Sequence, residues 1–261
     1  MNRRNVIAGL AASAWVGMEG NAASSSNTYL ELKTWRFHNG PENQPERVAE
    51  YLKNGLAPGL TRSGAKLAGA FANIIGPDGP YYVTLTQYAS LATMQDALAK
   101  LAGDEAHQRA LQTLSSGPGL PFLRVESSLL RSFDVMTEPA AAPADSAKHA
   151  SRVFELRTYE SQTFVTLARK VAMFNGGEAG IFERLGMRPV FFGETIVGPR
   201  QPNLSYMLSF DSLAERDRLW SAFGSDPEWK KLRSQPGLAD AEIVANISNV
   251  ILRPLPFSAI W

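Results

Sequence analysis

The sequence predicts an α+β fold: two tandem ferredoxin-like units of order βαββαβ, packed sheet to sheet within one chain. Two observations carry this. The stretch Arg152-Val153-Phe154-Glu155-Leu156-Arg157-Thr158-Tyr159-Glu160 restates Tyr29-Leu30-Glu31-Leu32-Lys33-Thr34-Trp35. In both copies Leu30, Leu32, Thr34 and Phe154, Leu156, Thr158 alternate with Glu31, Lys33, Trp35 and Glu155, Arg157, Tyr159, the period of a β-strand. Further matches keep a constant register. Ile74-Ile75-Gly76-Pro77 corresponds to Ile196-Val197-Gly198-Pro199, Ser90-Leu91-Ala92 to Ser212-Leu213-Ala214, and Leu130-Arg131 to Leu252-Arg253, each pair 122 positions apart.

In the first unit, residues 28–136, a strand at 29–37 is followed by helical spacing of Val48, Tyr51, Leu52, Leu56 and Leu60, with a kink or break expected at Pro58-Gly59. Residues 65–75 and 81–88 read as a hairpin around Gly76-Pro77-Asp78-Gly79-Pro80. Ser90 is placed to cap a helix over 91–114 whose apolar stripe is Leu91, Met94, Leu98 and Leu101, and residues 122–133 supply the fourth strand. The linker, 137–151, has the composition of an exposed connector. The second unit, 152–256, repeats the order: a strand at 153–159, a helix over 163–185 interrupted at Asn175-Gly176-Gly177, a hairpin of 187–197 and 204–210, a helix from Ser212 to Phe223, a short one after Asp226-Pro227, and a strand at 243–252. Each sheet has a face that its own helices do not cover, so the two sheets are expected to cover each other.

With 261 residues, 44% of them hydrophobic, the chain can bury a large core, and 26 basic against 25 acidic residues leave no basic stripe for nucleic acid. Cysteine is absent, which excludes thiol catalysis and Cys-ligated metal. No metal-ligand spacing, phosphate loop, dinucleotide fingerprint or nucleophile elbow occurs, and no cofactor is indicated. Residues 1–23 combine Arg3-Arg4, an apolar run and Gly20-Asn21-Ala22-Ala23. This is the pattern of a twin-arginine-like export signal too short to span a bilayer, and it predicts an extracytoplasmic, periplasmic protein without a stable membrane span.

The Phe154–Tyr159 strand, Gly180-Ile181-Phe182-Glu183-Arg184-Leu185-Gly186, Asp211-Ser212-Leu213-Ala214-Glu215-Arg216, Ser225-Asp226-Pro227-Glu228-Trp229 and Ile251-Leu252-Arg253-Pro254 resemble the NIPSNAP family, most strongly in the second half. In the first half Asp104-Glu105-Ala106-His107 stands where the second has Asp226-Pro227-Glu228-Trp229. The resemblance implies a dimeric α+β barrel, here intramolecular, and little chemistry. Because no concentrated set of catalytic residues stands out, the leading expectation is an exported protein of NIPSNAP type that binds a small apolar ligand or a protein partner. The alternative, by analogy of fold, is a cofactor-independent or haem-degrading monooxygenase-like enzyme, working through a few Trp, Asn, His or Arg side chains in a sheet–helix cleft. A homo-oligomer, in which sheets of different chains pair, is compatible with either.

Candidate site residues are few. Of three histidines, His149 falls in the linker and His107 on a packed or half-exposed helix, which leaves His38 and the neighbouring Trp35 as the catalytic candidates. A solvated loop histidine is the plainer reading of His38. Glu31, Lys33, Glu155, Arg157 and Tyr159 are the binding candidates. If their face lies between the two sheets it holds a salt-bridge network that either fixes register or anchors a ligand.

Overall fold

The computed structural model describes residues 27–140 and 152–261; the expected export signal and most of the linker lie outside them. The strands are β1 (Tyr29–Arg36), β2 (Lys66–Ile75), β3 (Tyr81–Tyr88), β4 (Arg124–Ser132), β5 (Val153–Glu160), β6 (Arg188–Val197), β7 (Asn203–Phe210) and β8 (Asn246–Pro254). They are hydrogen-bonded, every neighbour antiparallel, into one closed barrel of order β1-β3-β2-β8-β5-β7-β6-β4. The two halves therefore meet along strand edges as well as across the barrel interior. One seam runs from Phe71↔Pro254 to Ile75↔Ile251, the other from Leu129↔Val197 to Ser132↔Gly193. At the second seam a Cβ on Gly193 would stand 2.9 Å from the Leu130 Cβ, so glycine is what lets the strands close there.

Alternation along the strands sorts the side chains as the sequence predicts. Leu30, Leu32, Phe71, Leu85, Leu130, Phe154, Met207 and Leu252 form one cluster drawn from both halves, the barrel interior. The opposite face of each half is covered by its own helices. Trp35, Phe37, Tyr51, Leu56, Leu101 and Leu114 make one such layer, and Tyr159, Phe174, Phe182, Tyr206, Phe223 and Trp229 the other. After β4 and after β8 the chain runs on beside the free stretches of β6 and β2: Ala140 N–H donates to Val190 O at 2.8 Å, and Leu255 N–H to Ala70 O at 2.8 Å. This continuation blunts edges that would otherwise be exposed to pairing.

The helices differ from expectation in three places. The first-half helix is α1 (Gln44–Tyr51), a π-helical segment (Leu52–Leu56) and α2 (Ala57–Ser63). The irregularity thus precedes Pro58, which sits in the first turn of α2, where its missing N–H is tolerated. The second half repeats this with α5 (Phe164–Met173), a π-segment (Phe174–Glu178) and α6 (Ala179–Arg184), the irregularity falling where Asn175-Gly176-Gly177 predicts it.

Second, the helix expected over 91–114 is two helices, α3 (Leu91–Gly103) and α4 (Glu105–Ser115). Asp104 divides them because its carboxylate accepts the His107 N–H at 2.8 Å and caps the new helix. It is held by Arg62 at 2.7 and 2.9 Å. Asp226 does the same between α7 (Leu213–Ser225) and α8 (Pro227–Arg233), accepting from Trp229 N–H and held by Arg184, both at 3.0 Å. Both members of this Arg–Asp cap recur 122 positions apart.

Third, of the predicted stripe on α3 only Leu101 is buried, together with Ala97, while Leu91 and Leu98 are exposed. A short helix, α9 (Asp240–Ile243), precedes β8. Among the described residues no helix is long and apolar enough to cross a membrane.

Candidate functional site

The charged and aromatic face of β1 and β5 lies beneath the helices and not between the two sheets. Glu31, Lys33, Glu155 and Arg157 therefore belong to two separate clusters and do not form one network. Lys33 Nζ is 3.1 Å from Glu31, which also accepts from Ser127 (2.9 Å) and Tyr88 (3.2 Å). In the second half Glu155 is wholly buried. It accepts from Arg157 (2.8 Å), Arg216 (2.6 and 3.0 Å), the Trp220 indole (2.7 Å) and Asn249 (2.8 Å). Burial pushes its carboxyl up, but Arg216, Arg157, Asn249 and Trp220 together outweigh that and hold it below the usual carboxylate range. Arg157 lies over the Trp220 ring at 4.4 Å and the Tyr159 ring at 5.5 Å.

Deeper in the same layer Tyr206 donates its hydroxyl proton to the Tyr159 oxygen at 2.7 Å, and burial raises both phenols. Beside them Lys170 Nζ meets Glu178 at 2.9 Å, with 1% and 2% of the two side chains exposed. The rings of Phe174, Trp229 and Tyr159 surround the ammonium at 5.1, 5.2 and 5.5 Å. Burial raises Glu178 against the pull of Lys170. At the corresponding first-half positions, 122 residues earlier, stand Val48 and Leu56. The second layer is thus filled by aromatic rings and a buried ion pair.

The first layer has room. Between α1 and α4 lies a groove of about 490 Å3, with Tyr51, Ala110 and Leu114 as its floor and Glu46, Arg47, Glu50, Asn54 and Thr113 around it. The π-segment sets its inner end, because Gly55 packs so closely on α4 that an added Cβ would lie 2.5 Å from the Ala110 Cβ. Arg47 closes the outer end by donating to Leu114 O at 2.6 Å and Pro118 O at 2.8 Å.

Tyr51 is fixed from behind by His107. The His107 Nδ1–H donates to Leu101 O (3.1 Å), so Nε2 is the acceptor and receives the Tyr51 hydroxyl proton at 2.9 Å. Burial pushes the Tyr51 phenol up to about 12 and His107 below the usual histidine range. A histidine depressed in the fold contributes stability that is present above its unfolded value, about 6.5, and lost as pH falls below it. Urea unfolding of wild type and His107→Gln between pH 7.5 and 5.5 should show a smaller acid-side loss in the variant; parallel curves would mean that His107 is not protonated on unfolding in this range.

The weak catalytic candidates are not brought to either place. Trp35 is a packing residue whose indole donates to Thr84 at 3.2 Å and whose ring meets Tyr51 and Phe122 edge-on. His38 is a half-exposed loop histidine 3.0 Å from Glu42. Asn175 lines a polar cleft of about 410 Å3 with Tyr29, Arg131 and Glu194, remote in sequence from both histidines. What the sequence reading passed over was Tyr51, Lys170, Glu178, Tyr206, Arg216 and Trp220, while His107 is buried on its helix, one of the two settings expected for it. The signal for Lys170 was present, since it shares a helical stripe with Leu167 and Phe174.

The NIPSNAP family model matches residues 154–259, the span that carries the Glu155 and Lys170 clusters. The second half is a NIPSNAP domain. Along the whole chain, the solved structure of a candidate monooxygenase from Lactobacillus acidophilus NCFM is similar at a TM-score of 0.58 and 12% identity, covering 87% of this chain and 94% of that one. A candidate monooxygenase from Fusobacterium nucleatum gives 0.57 and 9%, covering 88% and 93%. At these identities the likeness is one of fold, the α+β barrel. A NIPSNAP-like domain protein from Burkholderia xenovorans is 22% identical over 42% of this chain and 90% of its own, at a TM-score of 0.37. No functionally curated protein matches the sequence.

Proposed function

We propose that the protein is an exported small-molecule-binding protein, built as a duplicated ferredoxin-like unit over 28–136 and 152–256, with its ligand held in the first-half groove rather than in the NIPSNAP half. The observation that carries this reading is the contrast between the two helix layers. The layer of the NIPSNAP half is packed with aromatic rings around Lys170 and Glu178, whereas its first-half counterpart leaves about 490 Å3 above Tyr51, Ala110 and Leu114. An apolar floor with a few polar groups at the rim is what a small-molecule site requires. The constant register of the halves and their identical strand order support the duplication. The Arg3-Arg4 pair and the apolar run after it support export, which predicts a mature N-terminus near Ala22 to Ser24.

Native mass spectrometry of the protein purified from its own host tests the site. Wild type should carry a retained mass that Thr113→Trp, which fills the groove from its exposed rim, releases without loss of fold. Retention of the same mass by the variant, or none in wild type, overturns the assignment to the groove.

A further inference from the structure

The groove has a charge character that its apolar floor does not disclose. Glu46 and Glu50, one turn apart on α1, are both exposed at its rim. Among the described residues neither has a lysine, arginine or histidine within ion-pair distance, and Glu50 accepts only from the Asn54 amide. The single cation of the lining, Arg47, is occupied: its guanidinium donates to the carbonyls of Leu114 and Pro118, with Leu120 O at 3.5 Å. Glu46, in the first turn of α1, also suits that helix's N-terminal dipole. Glu50, at the other end, has no such role. Tyr51, on the floor that these carboxylates border, has its ring held by the His107 bond and the edge contact with Trp35.

We propose that the groove takes an amphipathic cation, a primary or quaternary ammonium on an apolar body, with the body on Tyr51, Ala110 and Leu114 and the charge at Glu46 and Glu50. This rests on the groove being the binding site and adds the class of ligand. The chemistry is complementary on both counts. Apolar area leaves water on the floor, and an ammonium at the rim gains two carboxylates and an aromatic ring without displacing an existing counterion.

The test uses the full mature protein and three probes of one chain length, n-octylammonium, 1-octanol and octanoate, followed by calorimetric titration at low salt. Octylammonium should bind about tenfold more tightly than octanol, and octanoate more weakly than either, because the two rim carboxylates attract the cation and repel the anion. Glu46→Gln/Glu50→Gln should bring octylammonium to the level of octanol, and 0.5 M sodium chloride should largely erase the preference in wild type. Thr113→Trp should weaken all three. Equal binding of octylammonium and octanol, or a preference that survives the double substitution, overturns the charge assignment and leaves the groove standing. Binding of all three unaffected by Thr113→Trp overturns both.

Discussion

Glu155→Gln should lower the free energy of unfolding by about 3–5 kcal/mol, the cost of breaking a buried ion pair from one side. The carboxylate is fully buried and is the shared acceptor of Arg157 and Arg216, together with Trp220 and Asn249. The amide keeps some of those bonds but leaves the Arg157 guanidinium, largely withdrawn from water, without its counter-charge, and Arg216 with Asp217 alone. The effect has a pH signature. Because the Glu155 carboxyl is held below its ordinary range, its contribution is present above the unfolded carboxylate value of about 4.3 and is lost as pH falls through the folded one. Chemical denaturation at pH 7 and pH 3.5 should therefore show a large gap between wild type and variant at the first and a smaller one at the second. A gap that is small at pH 7 would mean that the cluster is better solvated than its burial indicates.

The second large effect is expected at Lys170. Lys170→Met should cost about 3–5 kcal/mol by leaving Glu178 buried in the aromatic layer without a partner. The double change Lys170→Val/Glu178→Leu, which installs the side chains found at the corresponding first-half positions, should recover most of that loss. With the ammonium gone, the Glu178 folded value, already raised by burial, rises further above the unfolded one. The stability of Lys170→Met is then greatest below the unfolded carboxylate value and is lost as pH rises through the folded one. Urea melts of the two variants at pH 5, 7 and 9 decide the matter. A double variant as weak as the single one would assign the loss to packing within the aromatic layer and not to the charge left behind.

The architecture was legible in the sequence because it depends on short-range pattern repeated at a fixed distance. The alternation of Leu30-Glu31-Leu32 and Phe154-Glu155-Leu156 separates two faces, and the hairpin tips at Gly76-Pro77 and Gly198-Pro199 fix the register of both halves. What was not legible is which face meets which layer. A charged face such as Glu31-Lys33 or Glu155-Arg157 can sit between sheets or under helices with the same alternation. Only the amphipathic faces of α1, α4, α5 and α7 decide it, by burying Tyr51, Leu114, Leu167 and Phe223 against that side. The split at Asp104 was readable from its correspondence with Asp226, since both begin a helix by capping it. The groove was not, because it arises from the spacing between two helices brought together by Gly55 and Ala110, which are far apart in sequence.

The covalent joining of the two halves has a consequence for what each can hold. A barrel closed by two identical chains must carry every side chain twice, so a polar substitution under the helices of one subunit appears under those of the other. In this chain the layers differ. Lys170 and Glu178 face Phe174 on one side of the molecule, while Val48 and Leu56 occupy the same places on the other. The buried Lys170–Glu178 pair is therefore confined to one layer, and the other is free to open a groove. Asymmetry of this kind is available only to a barrel whose halves are encoded separately.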